Sequence, residues 1–391
     1  MQNPTALRIA YVTPLAFHAR PHGIYHHVPR ALSRVPAVQL LPIGPFRRSH
    51  DPRLYMRYAW HNIAGSRRYY RQRDPIELRS VARQIDRSLD ALDAHIAFSL
   101  SNMYLGYLRP EHATAFWSDT TAALMEGFYN GYSSRDTCSL SLAHTHEFEL
   151  RALERCRVAF YASHWAAESA VRDYGVDPAK VRVVPRGASI KDPPTAEEAA
   201  ALTERRLGGA CRLLLVGVSW ERKGADLAVA VARYLVERLH VRAELHVVGC
   251  KPPAGCALPS YVNLHGYLDK GVPAHAHALK RLFESSCLFL MPSRAECQGI
   301  AFCEASGYAL PSIGPDVGGV SDAVRDDING KLFPLTAFPD AAAEWIANLW
   351  GDPARYAQLC LSSYHEYETR LNWDAAAAML VRHMREAVGV A

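Results

Sequence analysis

The chain has 391 residues, 49% of them hydrophobic and 21% charged, with a formal net charge of +5. That length exceeds what one hydrophobic core usually organises, so two domains are expected, and the composition excludes a disordered or low-complexity chain. The small charge excess has no nucleic-acid motif beside it, no apolar run approaches the roughly 18 residues of a membrane span, and nine unpaired-looking cysteines read as reduced thiols rather than a disulfide framework.

In chain order, Leu7-Arg8-Ile9-Ala10-Tyr11-Val12 is expected as a first strand rather than a signal peptide. Further strands are predicted near residues 37–43, 94–100, 113–117, 157–162 and 181–185, separated by amphipathic stretches. Such alternation predicts a parallel sheet. Residues 46–87 interleave arginines with aromatics, as in Phe46-Arg47-Arg48 and Arg67-Arg68-Tyr69-Tyr70-Arg71. Two readings stand for this segment: a solvated helical face, or a surface for an anionic acceptor or membrane headgroups. From Gly187 to Pro194, glycine and prolines interrupt the pattern before a polar, Ala/Glu-rich stretch, which predicts an interdomain linker over residues 189–206. The pattern restarts with Leu213 to Val216, a helix carrying Leu227, Val231, Leu235 and Leu239, and a strand at Leu245 to Val248. These features predict an N-terminal domain over 1–188, a second doubly wound domain over 207–370, and a C-terminal helix within 371–391 that would return to the first domain.

Open parallel sheets bind ligands at the carboxyl ends of their strands. The loop after Val216 carries Arg222-Lys223-Gly224 just before a helix, where two cations and free helix amides suit a diphosphate. A surface pair on a loop is the alternative. The loop after Met291-Pro292 carries Glu296 and leads at Gly299 into a helix holding Glu304. Two carboxylates flanking a helix N-terminus can accept hydrogen bonds from sugar and ribose hydroxyls while the amides meet phosphate. The histidine pairs His144/His146 and His275/His277 sit two residues apart, which does not place them on one helix face. Cys250 and Cys256 have a gap wider than zinc sites use. No metal is expected. Trp117 and Trp165 read as core or cleft wall.

The run from Glu296 to Glu304, followed by Ala305-Ser306-Gly307-Tyr308-Ala309-Leu310-Pro311, resembles the signature of retaining GT-B glycosyltransferases of family 4. Gly318-Gly319-Val320, Asn329-Gly330-Lys331-Leu332-Phe333 and Arg222-Lys223-Gly224 resemble further motifs of that family, as do Ala162-Ser163-His164-Trp165 and Val181 to Gly187. The resemblance implies an α/β fold of two facing Rossmann-like domains with a cleft. It implies that Glu296 contacts the donor sugar, Glu304 the ribose, and Arg222 and Lys223 the leaving diphosphate. Gly299, Ile300 and Ala301 would supply backbone amides, Gly23 would match a glycine of the N-domain loop, and Asp119 would stand where many members carry a histidine. The nucleobase would be read around His265-Gly266-Tyr267-Leu268, making Tyr267 and Leu268 donor-site candidates. The chain departs from the family at Val218, His22 and Asp322, where members often have arginine, a second glycine and glutamate.

The implied reaction is metal-independent transfer, with retention, from a nucleotide-diphosphate sugar to a hydroxyl of a carbohydrate, lipid-linked saccharide or small metabolite. No cofactor beyond that co-substrate is expected, nor nucleic acid. The implied location is the cytoplasm, with the inner face of the cell membrane as an alternative site. An NAD-dependent oxidoreductase is disfavoured because no Gly-x-Gly occurs, and no Asp-x-Asp motif is present to hold a metal. A degenerate scaffold and a sugar-nucleotide epimerase or phosphorylase are the remaining alternatives.

Overall fold

A computed structural model describes residues 6–14, 23–65, 67–129 and 134–390. Its internal contacts divide the chain into one unit of Met1–Val184 with Ala377–Ala391 and a second of Pro185–Ala376.

The first unit runs β1 (Leu7–Val12), α1 (Ile24–Arg34), β2 (Val38–Ile43), α2 (Pro52–Ala59), α3 (Pro75–Ala91), β3 (Ile96–Ser99), β4 (Thr114–Ser118), α4 (Ala122–Met125), α5 (Ser139–Arg155), β5 (Val158–Tyr161), α6 (His164–Tyr174) and β6 (Val181–Val183). Its strands form one parallel sheet in the order β2-β1-β3-β4-β5-β6. Helices on both faces explain why β3 and β5 are buried at every position instead of alternating. Trp117 is core: it is buried, and its indole N–H donates to the Val184 carbonyl at 3.0 Å. Most of the last helix of the chain, α13 (Trp373–Val388), belongs to this unit. It buries Leu380, Val381 and Met384, and Arg385 donates to the Ala37 carbonyl at 2.8 Å.

Glu149 of α5 is buried in this unit, where one carboxyl oxygen accepts from the Ala122 amide at 2.7 Å. Burial pushes its pKa up from 4.5 to about 8, against smaller lowering contributions from the Ala122 amide and Asn102. The folded state therefore holds a proton that the unfolded chain releases above its own, lower pKa. This contribution to stability is complete below the unfolded pKa and is lost as pH rises through the folded value, at ~1.4 kcal/mol per pH unit. Glu149→Gln, which keeps an acceptor for Ala122 and cannot ionise, is expected to match the parent near pH ~5 and exceed it near pH ~8. Thermal melts of both proteins across that range check this; parallel curves would contradict it.

The second unit holds α7 (Ala196–Arg206), β7 (Cys211–Val216), α8 (Ala225–Arg233), β8 (Ala243–Val248), β9 (Val262–Leu264), α9 (Pro273–Ser285), β10 (Leu288–Leu290), α10 (Ile300–Gly307), β11 (Ser312–Pro315), β12 (Gly330–Phe333), α11 (Phe338–Trp350) and α12 (Pro353–Thr369). The sheet is again parallel, ordered β12-β11-β10-β7-β8-β9. Counted from β7 this is the 3-2-1-4-5-6 order of a dinucleotide-type domain, and the winding reverses between β7 and β10. The amphipathic pattern from Leu227 to Leu239 is helical, but α8 ends at Arg233 and continues as a π-turn over Tyr234–Arg238.

The stretch read from the sequence as a linker contains α7. Thr195 and Glu198 close a reciprocal capping box at its start, with bonds of 3.2 and 2.9 Å. Ala199 and Leu202 are buried. At its end the buried Arg206 guanidinium donates to four carbonyls, Phe283 (3.1 Å), Glu284 (3.2 Å), Tyr308 (2.9 Å) and Ala309 (2.8 Å). These carbonyls close α9 and α10, so one side chain satisfies groups that helix ends leave open. No helix among the described residues is long and apolar enough to cross a membrane.

Candidate functional site

The two strands flanking the reversal point, β7 and β10, deliver their following loops to the same end of the second sheet. After β7 the chain turns through Gly217 to Gly224, closed by Lys223 N–H to Ser219 O (2.9 Å) and Ala225 N–H to Trp220 O (2.9 Å). Gly224 caps α8 at φ +66°, and a Cβ there would stand 1.9 Å from the Pro292 carbonyl oxygen. Only glycine lets the two loops approach this closely. At Gly217 an added Cβ would meet Lys223 Cγ at 2.6 Å, so the lysine stem lies directly over the strand end.

The loop after β10 is fastened to the first at several points. Arg294 N–H donates to Arg222 O (2.8 Å), and the Arg294 guanidinium grips Asp226 in bidentate fashion at 2.8 and 2.7 Å. That ion pair holds the Asp226 carboxyl below its ordinary pKa. Arg222 Nη1 donates to Ala295 O at 3.1 Å. Glu296, buried, then pairs with Lys223 Nζ, while Arg222 Nη1 stands 3.7 Å from the same carboxylate oxygen. Gly319 N–H reaches Glu296 O at 3.2 Å, which brings the glycine pair into the assembly. Nearby, burial raises the Cys250 thiol to about 11, with Lys223 and Arg222 opposing the rise, so it stays protonated.

Gly299 caps α10 at φ +87°. Ile300 and Ala301 form the first turn, whose amides have no partner within the helix. Glu304 lies one turn further on, buried, and its carboxylate pairs with Lys270, which also approaches Ser189 O at 3.4 Å. Behind the helix the Gln298 amide brackets the Arg186 backbone, accepting from its N–H at 2.9 Å and donating to its carbonyl at 3.2 Å.

Arg222, Lys223 and Glu296 thus form one cluster on the second unit, with Gly299, Ile300, Ala301 and Glu304 on the helix beside it. Tyr267, exposed, and Leu268 follow β9, joined to the sheet through Gly249 N–H to Gly266 O at 2.7 Å. Asp119 and Gly23 belong to the first unit: Asp119 directly follows β4, and Gly23 caps α1 at φ +83°. Pro21 and His22 lie outside the described residues. Lys270 was missed by sequence reasoning. Its only signal was position, two residues beyond the loop already suspected at the end of β9. His144, His146, His275 and His277 join no metal site; among the described residues no three His, Cys, Asp or Glu side chains are grouped to hold an ion.

Two cations beside two helix N-termini can hold an anion, and the buried carboxylates can accept from hydroxyls at its edge. Each carboxylate is held by a lysine, so a ligand that takes these carboxylates exchanges those pairs for its own contacts.

Residues 210–352 match the family model of the glycosyl transferases group 1. A D-inositol 3-phosphate glycosyltransferase of Streptomyces bingchenggensis is 34% identical over 227 residues, covering 54% of this chain and 49% of the relative. A GDP-mannose-dependent alpha-mannosyltransferase of Corynebacterium glutamicum is 31% identical over 117 residues, covering 29% and 27%. The chain therefore spans about half the length, or less, of these two curated relatives. The sucrose-phosphate synthase of Thermosynechococcus elongatus superposes with a TM-score of 0.64 over 98% of this chain and all of its own, at 18% identity.

Proposed function

We propose that this chain, which carries a group 1 glycosyl transferase domain over residues 210–352 on a fold of the GT-B type, moves a sugar from a nucleotide-diphosphate donor to an acceptor hydroxyl with retention. The observation that carries the proposal is the Arg222–Lys223–Glu296 cluster beside the N-termini of α8 and α10, at the reversal point of the second sheet. In this reading the donor diphosphate lies against the two cations and the first-turn amides of α10. Glu304 leaves Lys270 for the ribose hydroxyls, and Glu296 turns to the sugar.

As the bond from the anomeric carbon to the diphosphate oxygen breaks, negative charge grows on that oxygen. Arg222, Lys223 and the helix amides stabilise it in place, which is the largest usual source of rate enhancement. The acceptor oxygen forms its new bond on the face the diphosphate leaves, and its proton passes to the departing phosphate. The cations supply the charge that a metal ion would otherwise bring, so metal independence is part of the proposal. All nine cysteines are free and eight are buried, which supports placing the protein in a reducing, cytoplasmic compartment.

Calorimetric titration with UDP, GDP and ADP tests the site. One nucleotide is expected to bind, and Glu304→Ala and Arg222→Ala to weaken it by about tenfold or more, charge-assisted contacts being worth roughly 1.5–3 kcal/mol. The sugar nucleotides of that base are then assayed for transfer in EDTA, and the anomeric configuration of the product is read by NMR. Absence of binding by all three would remove the proposal. Binding without transfer to any acceptor would favour a nucleotide-sugar binding protein.

A further inference from the structure

The positive charge of this chain is concentrated in one segment. Between Phe46 and Arg73 stand eight arginines and a single acid, Asp51, a local excess of seven against five for the whole chain, so the remainder is net negative. The same segment holds five of the twelve large hydrophobic side chains left exposed among the described residues. They are Tyr55, Met56, Tyr58, Trp60 and Ile63, with Met56 62%, Trp60 71% and Ile63 79% exposed. We infer that the ridge formed by α2 and the turn after it is a docking surface for an anionic lipid bilayer.

The ridge is built to present these groups. Tyr55, Met56, Ala59, Trp60 and Ile63 follow the spacing that lines one helical face, while Leu54 on the opposite side is fully buried. Asp51 caps α2, and Arg57 ties it to buried Asp74 at 2.5 Å, a carboxylate also bonded by the Tyr69 hydroxyl. Asn62 brackets the Tyr69 backbone at 3.0 and 3.1 Å, and Arg71 lies 4.5 Å over the Tyr55 ring. Arg47, Arg48, Arg67 and Arg68, which flank the ridge in sequence, are exposed. Arg68 is fixed by a backbone bridge, N–H to Asp136 O (2.8 Å) and O to Cys138 N–H (3.0 Å).

A solvated helix face would carry polar groups where Met56, Trp60 and Ile63 stand. A soluble anionic saccharide would account for the arginines but not for uncovered apolar side chains. A bilayer interface accounts for both: tryptophan and tyrosine settle at headgroup depth, aliphatic side chains enter the acyl boundary, and arginines meet anionic headgroups.

The test is cosedimentation of the full chain with vesicles of phosphatidylcholine alone and of phosphatidylcholine mixed with phosphatidylglycerol, at low and raised salt. Binding is expected to the mixed vesicles, weaker at raised salt, with little to the neutral ones. The double variant Trp60→Ser/Ile63→Ser should lose at least about tenfold in partitioning, since each side chain buries a large apolar surface. Its circular dichroism and melting should be unchanged, both positions being exposed. Arg47→Glu/Arg48→Glu should reduce binding to the anionic vesicles only. Absence of binding to the mixed vesicles, or binding unaffected by the double serine variant, overturns the inference. So does self-association that the serine variant abolishes, which would make the ridge an interface between copies. Retention of dextran sulfate without vesicle binding would assign the arginines to a soluble polyanion instead. None of these readouts depends on sugar transfer, so the donor site and the ridge stand or fall separately.

Discussion

Lys223→Ala is expected to lower the rate of sugar transfer by about a hundredfold to a thousandfold, the loss seen when one preorganised donor is removed from a developing negative charge. The lysine is buried, its stem packed over Gly217 and its ammonium aimed at the site where Glu296 waits. A point charge so placed needs no reorganisation when the diphosphate departs. Nucleotide affinity should fall by less than the rate, because the ground-state diphosphate keeps Arg222 and the helix amides while the departing phosphate bears more charge. Lys223→Arg should restore only part of the activity, since a planar fork replaces the compact ammonium that pairs with buried Glu296. The check is a comparison of kcat with nucleotide affinity in variants shown to be folded. Transfer within a few-fold of the parent would take Lys223 out of the mechanism.

Arg206→Ala is expected to cost about 3–5 kcal/mol of stability, among the largest effects of any single substitution here. The guanidinium serves four carbonyls at the ends of α9 and α10, and truncation leaves them buried without donors. Because α10 presents the first-turn amides and Glu304, nucleotide binding should weaken along with stability although Arg206 lies at the other end of the helix. Arg206→Lys should recover only part of the loss, having three donors in place of five. Denaturant unfolding measures this; a change under about 1 kcal/mol would mean that water takes over the carbonyls.

Those two residues mark where sequence reasoning succeeds and where it stops. Lys223 was legible because it follows a buried strand and precedes a helix beginning at glycine, a local pattern with a known consequence. The strands were legible for the same reason, Leu213 to Leu215 being apolar without a break. Sheet order was not, since nothing in the period of β7 says that it lies beside β10 rather than β9. Arg206 sits in an Ala/Glu-rich stretch that looks solvated, and its role comes from helix ends about 80 and 100 residues away. The pairing of Glu296 and Glu304 with lysines was hidden in the same way. Lys223–Glu296 joins residues 73 apart, and Lys270 looks like any exposed lysine until Glu304 is folded beside it. The composition of the arginine-rich segment is plain before folding, but the burial of Leu54 was needed to tell which face is turned outward.

The first unit is assembled from the two extremities of the chain, Met1–Val184 and Ala377–Ala391. During synthesis its sheet leaves the ribosome long before α13, whose Leu380, Val381 and Met384 complete the core and whose Arg385 reaches Ala37. Translation of the intervening residues takes ~10–40 s at ordinary elongation rates. For that interval the nascent first unit lacks a wall and exposes apolar surface suited to a chaperone, whereas the second unit has nearly all its sequence in one continuous run. Of the two units, the one made first is therefore the one finished last.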